Sequence, residues 1–132
     1  MNLTQDNDNN IAKHANIALK AVLNILDKWG CTAEQKFTIL GLSRTTFYRI
    51  AKAPEKASLS QDQIERVSYI LNIHQALRMT FSNTENIYGY MSMANNNAFF
   101  NGKSPLSIIT SGGFAALYEA YKRIDALRGG QW

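Results

Sequence analysis

The stretch "EQKFTILGLSRTTFYRIAK", Glu34 to Lys52, holds two short helical patterns around Gly41. Thr32 and Gln35 have the spacing of a capping box, in which a hydroxyl accepts from the third helical amide and a side chain reaches back, so a helix over Ala33–Leu40 is predicted. Gly41 and Leu42 interrupt it, and Ser43 is placed to cap a second helix, RTTFYRIAK, whose inward residues are Phe47 and Ile50. That is the layout of a helix-turn-helix. A groove-reading helix needs only enough apolar anchor to hold it, leaving polar residues at its start free for base edges and basic ones for phosphates. Ser43, Arg44, Thr45, Thr46, Tyr48, Arg49 and Lys52 are therefore the candidate DNA-binding residues. From residue 35 to 56, Lys36, Arg44, Arg49, Lys52 and Lys56 face Glu55 alone, a local +4 that equals the net charge of the whole chain. The alternative is a helical hairpin with a solvated basic face.

Working outward, Ile11, Ala15, Ala18, Leu19, Val22, Leu26 and Trp29 recur at helical spacing and Gly30 follows, which predicts a helix from about 11 to 29 behind a loose polar arm, residues 1–10. After Pro54, "LSQDQIERVSYILNIHQALRMTF" starts with Ser60 as a cap and carries Ile64, Val67, Ile70, Leu71, Leu77 and Phe81 on helical intervals, as one helix or as two broken near Asn72. Further helices fit Thr84 to Ala94, PLSII from Pro105, and Phe114 to Arg128, with a turn at Asn95, Asn96 and Asn97 and stops at Gly112 and Gly113. No segment alternates long enough to be a strand, so the fold class is all α: residues 11–82 as a helix-turn-helix domain and 83–132 as a second, small helical domain.

The 132 residues suit one domain or two very small ones, and 45% hydrophobic with 18% charged residues describes a chain that folds. A single cysteine, Cys31, excludes an internal disulfide and a cysteine-only metal site. Without an apolar run of roughly 20 residues, or a signal-peptide core in MNLTQDNDNN, a soluble cytoplasmic protein with no membrane partner is expected. His14, His74 and Cys31 lack metal-site spacing and are expected to be surface or packing residues; no carboxylate pair or phosphate loop suggests catalysis, so no enzyme activity, metal or cofactor is expected.

"YGYMSMANNNAFFNGKSPLSIITSGGFAALYEAYKRIDALRGG", Tyr88 to Gly130, resembles the toxin-binding domain of Xre/MbcA/ParS-type antitoxins. Tyr90-Met91, the turn Asn95 to Asn97, Gly102-Lys103-Ser104-Pro105-Leu106, Gly113 and Gly129 stand where that family has an aromatic-Leu-like pair, an Asn-containing turn, a Gly-x-x-Pro-Leu loop and helix-ending glycines. With "LSQDQIERVSYIL" and the Xre-like helix-turn-helix before it, the resemblance covers roughly residues 33 to 130. Tyr90 replaces a frequent Trp, and Ser107 a frequent acidic residue.

The resemblance implies an antitoxin of a type II toxin-antitoxin system. Its partner would be a RES-domain toxin, NAD-consuming and ADP-ribosyltransferase-like, whose active site it blocks; it would also bind operator DNA of its own operon, as a homodimer within a larger complex. Lys103, Tyr118, Tyr121, Lys122, Arg128, Gly129, Gly130, Gln131 and Trp132 are then the candidate toxin-binding residues. Trp132 either fills an apolar slot on the toxin, or folds back on its own domain or is disordered. The competing expectation is a dimeric helix-turn-helix transcriptional regulator without a toxin partner.

Overall fold

The structure, a computed structural model, describes residues 3–129, with side chains from residue 13 onward. All regular secondary structure among them is helical: α1 (Leu3–Lys28), α2 (Ala33–Leu40), α3 (Arg44–Lys52), α4 (Gln61–Thr80), α5 (Thr84–Gly89), α6 (Pro105–Ser111) and α7 (Gly113–Asp125), with single 3-10 turns at Pro54–Lys56, Tyr90–Ser92 and Ala126–Gly129. The helix-turn-helix pair α2–α3 at the N-terminal side is followed by further helices.

Helix α1 begins well before residue 11. Its apolar stripe marks the packed portion only, while a helix, once nucleated, propagates by one backbone bond per added residue without needing a stripe. Its other end closes as the sequence suggests. Gly30 adopts φ +80°, its amide donates to the Asp27 carbonyl at 3.0 Å, and the Cys31 amide donates to the Leu26 carbonyl at 3.1 Å. This is a Schellman closure on a left-handed glycine.

The predicted Thr32–Gln35 capping box forms, and the predicted Ser60 cap is completed by Gln63 into a second. The Thr32 hydroxyl accepts from the Gln35 amide at 3.1 Å while Gln35 Oε1 accepts from the Thr32 amide at 2.8 Å; Ser60 and Gln63 repeat the pattern at 3.2 and 2.9 Å. Helix α4 runs unbroken, because Asn72 lies on its exposed side and leaves the backbone ladder untouched. Helix α5 stops short of the predicted Ala94: Gly89 is a weak helix former, and the Ser92 hydroxyl turns back to donate to the Gly89 carbonyl at 3.1 Å. The left-handed backbone of the following loop falls on Asn101 (φ +52°) and Gly102 (φ +83°) rather than on the Asn95–Asn97 turn. The last helix ends at Asp125 and tightens into the 3-10 turn that carries Arg128.

Helix α4 is the spine. It packs against α1 on one side and α7 on the other, burying Val67, Ile70, Ile73, Ala76 and Leu77. Leu19, Val22 and Leu26 of α1, Ile39 and Leu40 of α2, Phe47 and Ile50 of α3, Met91, Phe100, Ile109 of α6, and Leu117, Ala120 and Ile124 of α7 join them in one continuous cluster. Burial of each such Leu or Ile contributes roughly 1.5–3 kcal/mol. No helix among the described residues is long and apolar enough to cross a membrane.

Candidate functional site

Helix α3 is held by two side chains and otherwise faces outward. Phe47 and Ile50 are buried, whereas Arg44, Thr45, Tyr48, Arg49 and Lys52 are exposed, Tyr48 at 47%. Ser43 and Thr46 are engaged with one another: Ser43 Oγ accepts from the Thr46 amide at 3.2 Å and donates to Thr46 Oγ1 at 2.9 Å. They cap and orient the helix, leaving Arg44, Thr45, Tyr48, Arg49 and Lys52 as its free outer residues. The Arg44 guanidinium lies over the Phe37 ring at 5.6 Å, and Phe37 in turn meets Phe47 at 6.0 Å, so the first basic group of α3 rests on α2. Lys36, the one basic residue of this segment carried on α2, is half-buried and paired with Asp27.

The turn between α2 and α3 is fixed from outside the motif. Gly41 takes φ +68°, with the Leu42 amide donating to the Phe37 carbonyl at 2.9 Å. Helix α4 lies against it: Gln63 Nε2 donates to the Gly41 carbonyl at 3.3 Å and Arg66 Nη1 to the Ile39 carbonyl at 3.2 Å. Arg66 is itself held by Asp62 at 2.9 Å, and a Cβ at position 41 would stand 2.9 Å from its Nε. The same guanidinium sits over Phe114 at 5.7 Å, which ties the turn to the start of α7.

A second surface gathers on α4 and α7. Tyr69 touches Phe114, Tyr118 and Tyr121, with ring centroids 5.7, 5.5 and 5.4 Å apart. Tyr118 remains 39% exposed, and Lys122 Nζ lies 5.4 Å from its ring. Farther along, Arg128 pairs with Asp125 at 2.7 Å and approaches Met79 Sδ at 3.7 Å. Together with Tyr121, Asn72, Gln75 and Ala76, these three residues line a cavity of about 220 Å³. The structure therefore brings together Tyr118, Tyr121, Lys122 and Arg128. Gly129 follows Arg128 and is exposed; Gly130, Gln131 and Trp132 lie outside the described residues. Lys103 is exposed in the loop before α6 and takes no part in the aromatic and cation contacts of this surface.

That loop is built on the Asn residues the sequence singled out. Asn95 Nδ2 donates to the Tyr90 hydroxyl at 2.6 Å, Asn95 Oδ1 accepts from the Asn97 amide at 2.9 Å, and Asn97 Oδ1 accepts from the Phe99 amide at 3.0 Å. Burial raises the Tyr90 phenol above its ordinary pKa, with the Asn95 bond acting in the opposite direction.

Asn72, Gln75 and Met79 were missed by sequence reasoning. Their signal was Met79, an apolar residue off the buried stripe of α4 and 64% exposed. Cys31 and His74 sit in packing roles. Burial pushes the Cys31 thiol up to about 11 despite the lowering influence of Lys36, which suppresses thiolate formation. His14 is exposed; His74 stacks on Tyr88 at 5.3 Å, and burial, then Arg78 and Lys28, lowers its pKa. Among the described residues no cluster of His, Cys, Asp or Glu that could hold a metal ion is present.

The antitoxin Xre-like helix-turn-helix domain family matches residues 12–72. An uncharacterised protein, y4oB, of Sinorhizobium fredii (strain NBRC 101917 / NGR234) is 34% identical over 113 residues, covering 85% of this chain and 84% of that protein. No solved structure matches the chain.

Proposed function

The chain belongs to the Xre-type antitoxin family, and from that premise we propose that it is the cytoplasmic, non-enzymatic antitoxin of a type II toxin-antitoxin pair. Such a family implies a toxin and DNA as partner classes, and its members are typically not enzymes. In this reading α3 enters the major groove of operator DNA of its own operon, as part of a homodimer, and the α4–α7 surface meets a RES-type, NAD-consuming toxin and closes its active site.

One observation carries the DNA half. Helix α3 is fixed by Phe47 and Ile50 and by the Ser43 cap, while its free outer residues are Arg44, Thr45, Tyr48, Arg49 and Lys52. Polar residues at the start and cations farther on match what base edges and phosphates require. For the toxin half, the support is a partly exposed tyrosine–lysine pair on α7 together with the cavity lined by Tyr121 and Arg128, since amphipathic aromatics and arginine favour protein interfaces. Lys103, Gly129, Gly130, Gln131 and Trp132 are assigned to the same contact through the family resemblance.

The test uses a duplex from the region upstream of the chain's own coding sequence. The variant Arg44→Ala/Arg49→Ala should bind at least about tenfold more weakly, with a salt slope shallower by about two units per copy, or about 3.6 per dimer, each lost phosphate contact removing roughly 0.9. Helix content by circular dichroism should be unchanged. If the double variant binds as the wild type does, α3 is not the reading helix. In parallel, the product of the adjacent gene should lose NAD consumption when mixed with the full chain and keep it when mixed with Tyr118→Asp; full NAD turnover in the presence of the wild type removes the toxin half and leaves a regulator.

A further inference from the structure

Helix α1 buries Ala15, Leu19, Val22 and Leu26 inward, and on its outer side Lys13, Ile17 and Lys20 recur at intervals of four and three residues, all exposed. Ile17 is 62% exposed, an unusual position for a β-branched aliphatic side chain between two lysines. It lies in a groove of about 690 Å³ lined by Lys13, Asn16, Ile17, Lys20 and Glu55. The two walls are locked together, because Asn16 Nδ2 donates to the Glu55 backbone carbonyl at 3.0 Å and so leaves the Glu55 carboxylate free. Among the described residues, none of Lys13, Lys20 and Glu55 forms an ion pair.

We propose that this face, α1 with the Pro54–Lys56 turn, is where a second copy of the chain docks about a two-fold axis. In an isologous interface each contact occurs twice, residue i of one copy on residue j of the other and the reverse. A groove carrying two lysines on one wall and a glutamate on the other is complementary to itself under that operation. Glu55 of each copy meets Lys13 and Lys20 of the other, and the two Ile17 side chains lose their exposure at the centre. The Tyr118 and Met79 surface is on α7 and α4, so the same copy can still take a toxin there.

Position matters as much as charge. Glu55 follows Lys52, the last residue of α3, by three residues, so an axis through this face sets the ends of two α3 helices side by side. Paired reading helices across a two-fold are what successive half-sites one helical turn apart require. The inference rests on the DNA-binding reading for this point alone.

Sedimentation equilibrium on the full chain tests it. The wild type should dimerise, and Ile17→Asp should weaken the dimer by at least about a hundredfold, two buried Ile side chains being lost per pair. Glu55→Lys alone and Lys13→Glu/Lys20→Glu alone should each weaken self-association, while an equimolar mixture of these two variants should form mixed dimers at least about tenfold tighter than either forms by itself. The Glu55 carbonyl, not its carboxylate, holds the turn, so these variants should keep wild-type helix content. A monomeric wild type, an unaffected Ile17→Asp dimer, or failure of the mixture to pair overturns the proposal. So does an Ile17→Asp variant that keeps its dimer but loses the toxin, which would give the face to that partner. Arg44→Ala/Arg49→Ala should remain dimeric, so loss of DNA contact and loss of pairing are read separately.

Discussion

The α2–α3 pair and the α4–α7 seam are built by opposite means. The first is short, closed at its ends by Thr32, Gln35, Ser43 and a left-handed Gly41, and anchored by few buried residues; the second is long, buries a run of aliphatics and is finished on its outer side by Tyr69, Phe114, Tyr118 and Tyr121. Backbone ends set the shape of the first, and side-chain volume sets that of the second. A thin anchor leaves a helix surface free to touch DNA. A thick one makes a firm platform against which a partner can press.

Since both regions share one core, core truncation should erase the contrast between them. Leu26→Ala in α1 and Leu117→Ala in α7, each nearly unexposed, should cost about 2–5 kcal/mol and lower the same single urea transition with unchanged slope. Two separated transitions would show that the halves unfold independently. Gly41→Ala comes next, at about 1–3 kcal/mol, because φ +68° is strained for alanine and the new Cβ meets Arg66. Thr32→Ala should cost about 1 kcal/mol through loss of its cap. The same exchange at Lys122, on the outer side of α7, should leave stability within about 0.5 kcal/mol.

The smallest effect is a pH dependence at the α1–α4–α5 junction. The His74 pKa is lowered in the fold, so the unfolded chain takes up a proton first as pH falls below its ordinary value near 6.5. The stability contributed by neutral His74 is present above that pH and declines as pH falls toward the lowered folded value. His74→Gln should flatten the drop in urea midpoint between about pH 7.5 and 5.5; an identical drop in both proteins would assign it to other groups.

Capping residues made the α2–α3 region legible almost to the residue, because Thr32/Gln35, Ser43 and Gly41 act on their own backbone. Apolar periodicity likewise located α1 and α4, but it could neither mark the unpacked beginning of α1 nor decide whether Asn72 ended a helix, since both depend on which side faces solvent. The second surface was half visible. Tyr118, Tyr121, Lys122 and Arg128 follow from one helix and its terminal turn, whereas Asn72, Gln75 and Met79 reach it only through the packing of α4 on α7, which no local pattern encodes. Lys36 shows the converse: counted as free positive charge in the sequence, it is paired with Asp27 across a turn.

Arg66 has a bearing on protein engineering. It is borrowed by the α2–α3 turn from the next helix, where it braces the Ile39 carbonyl and the Phe114 ring at once. A chimera that transplants the reader as residues 12–58 would leave that brace behind and let the elbow relax. Only grafts extending through the second turn of α4 would carry the intended bend angle into a new host.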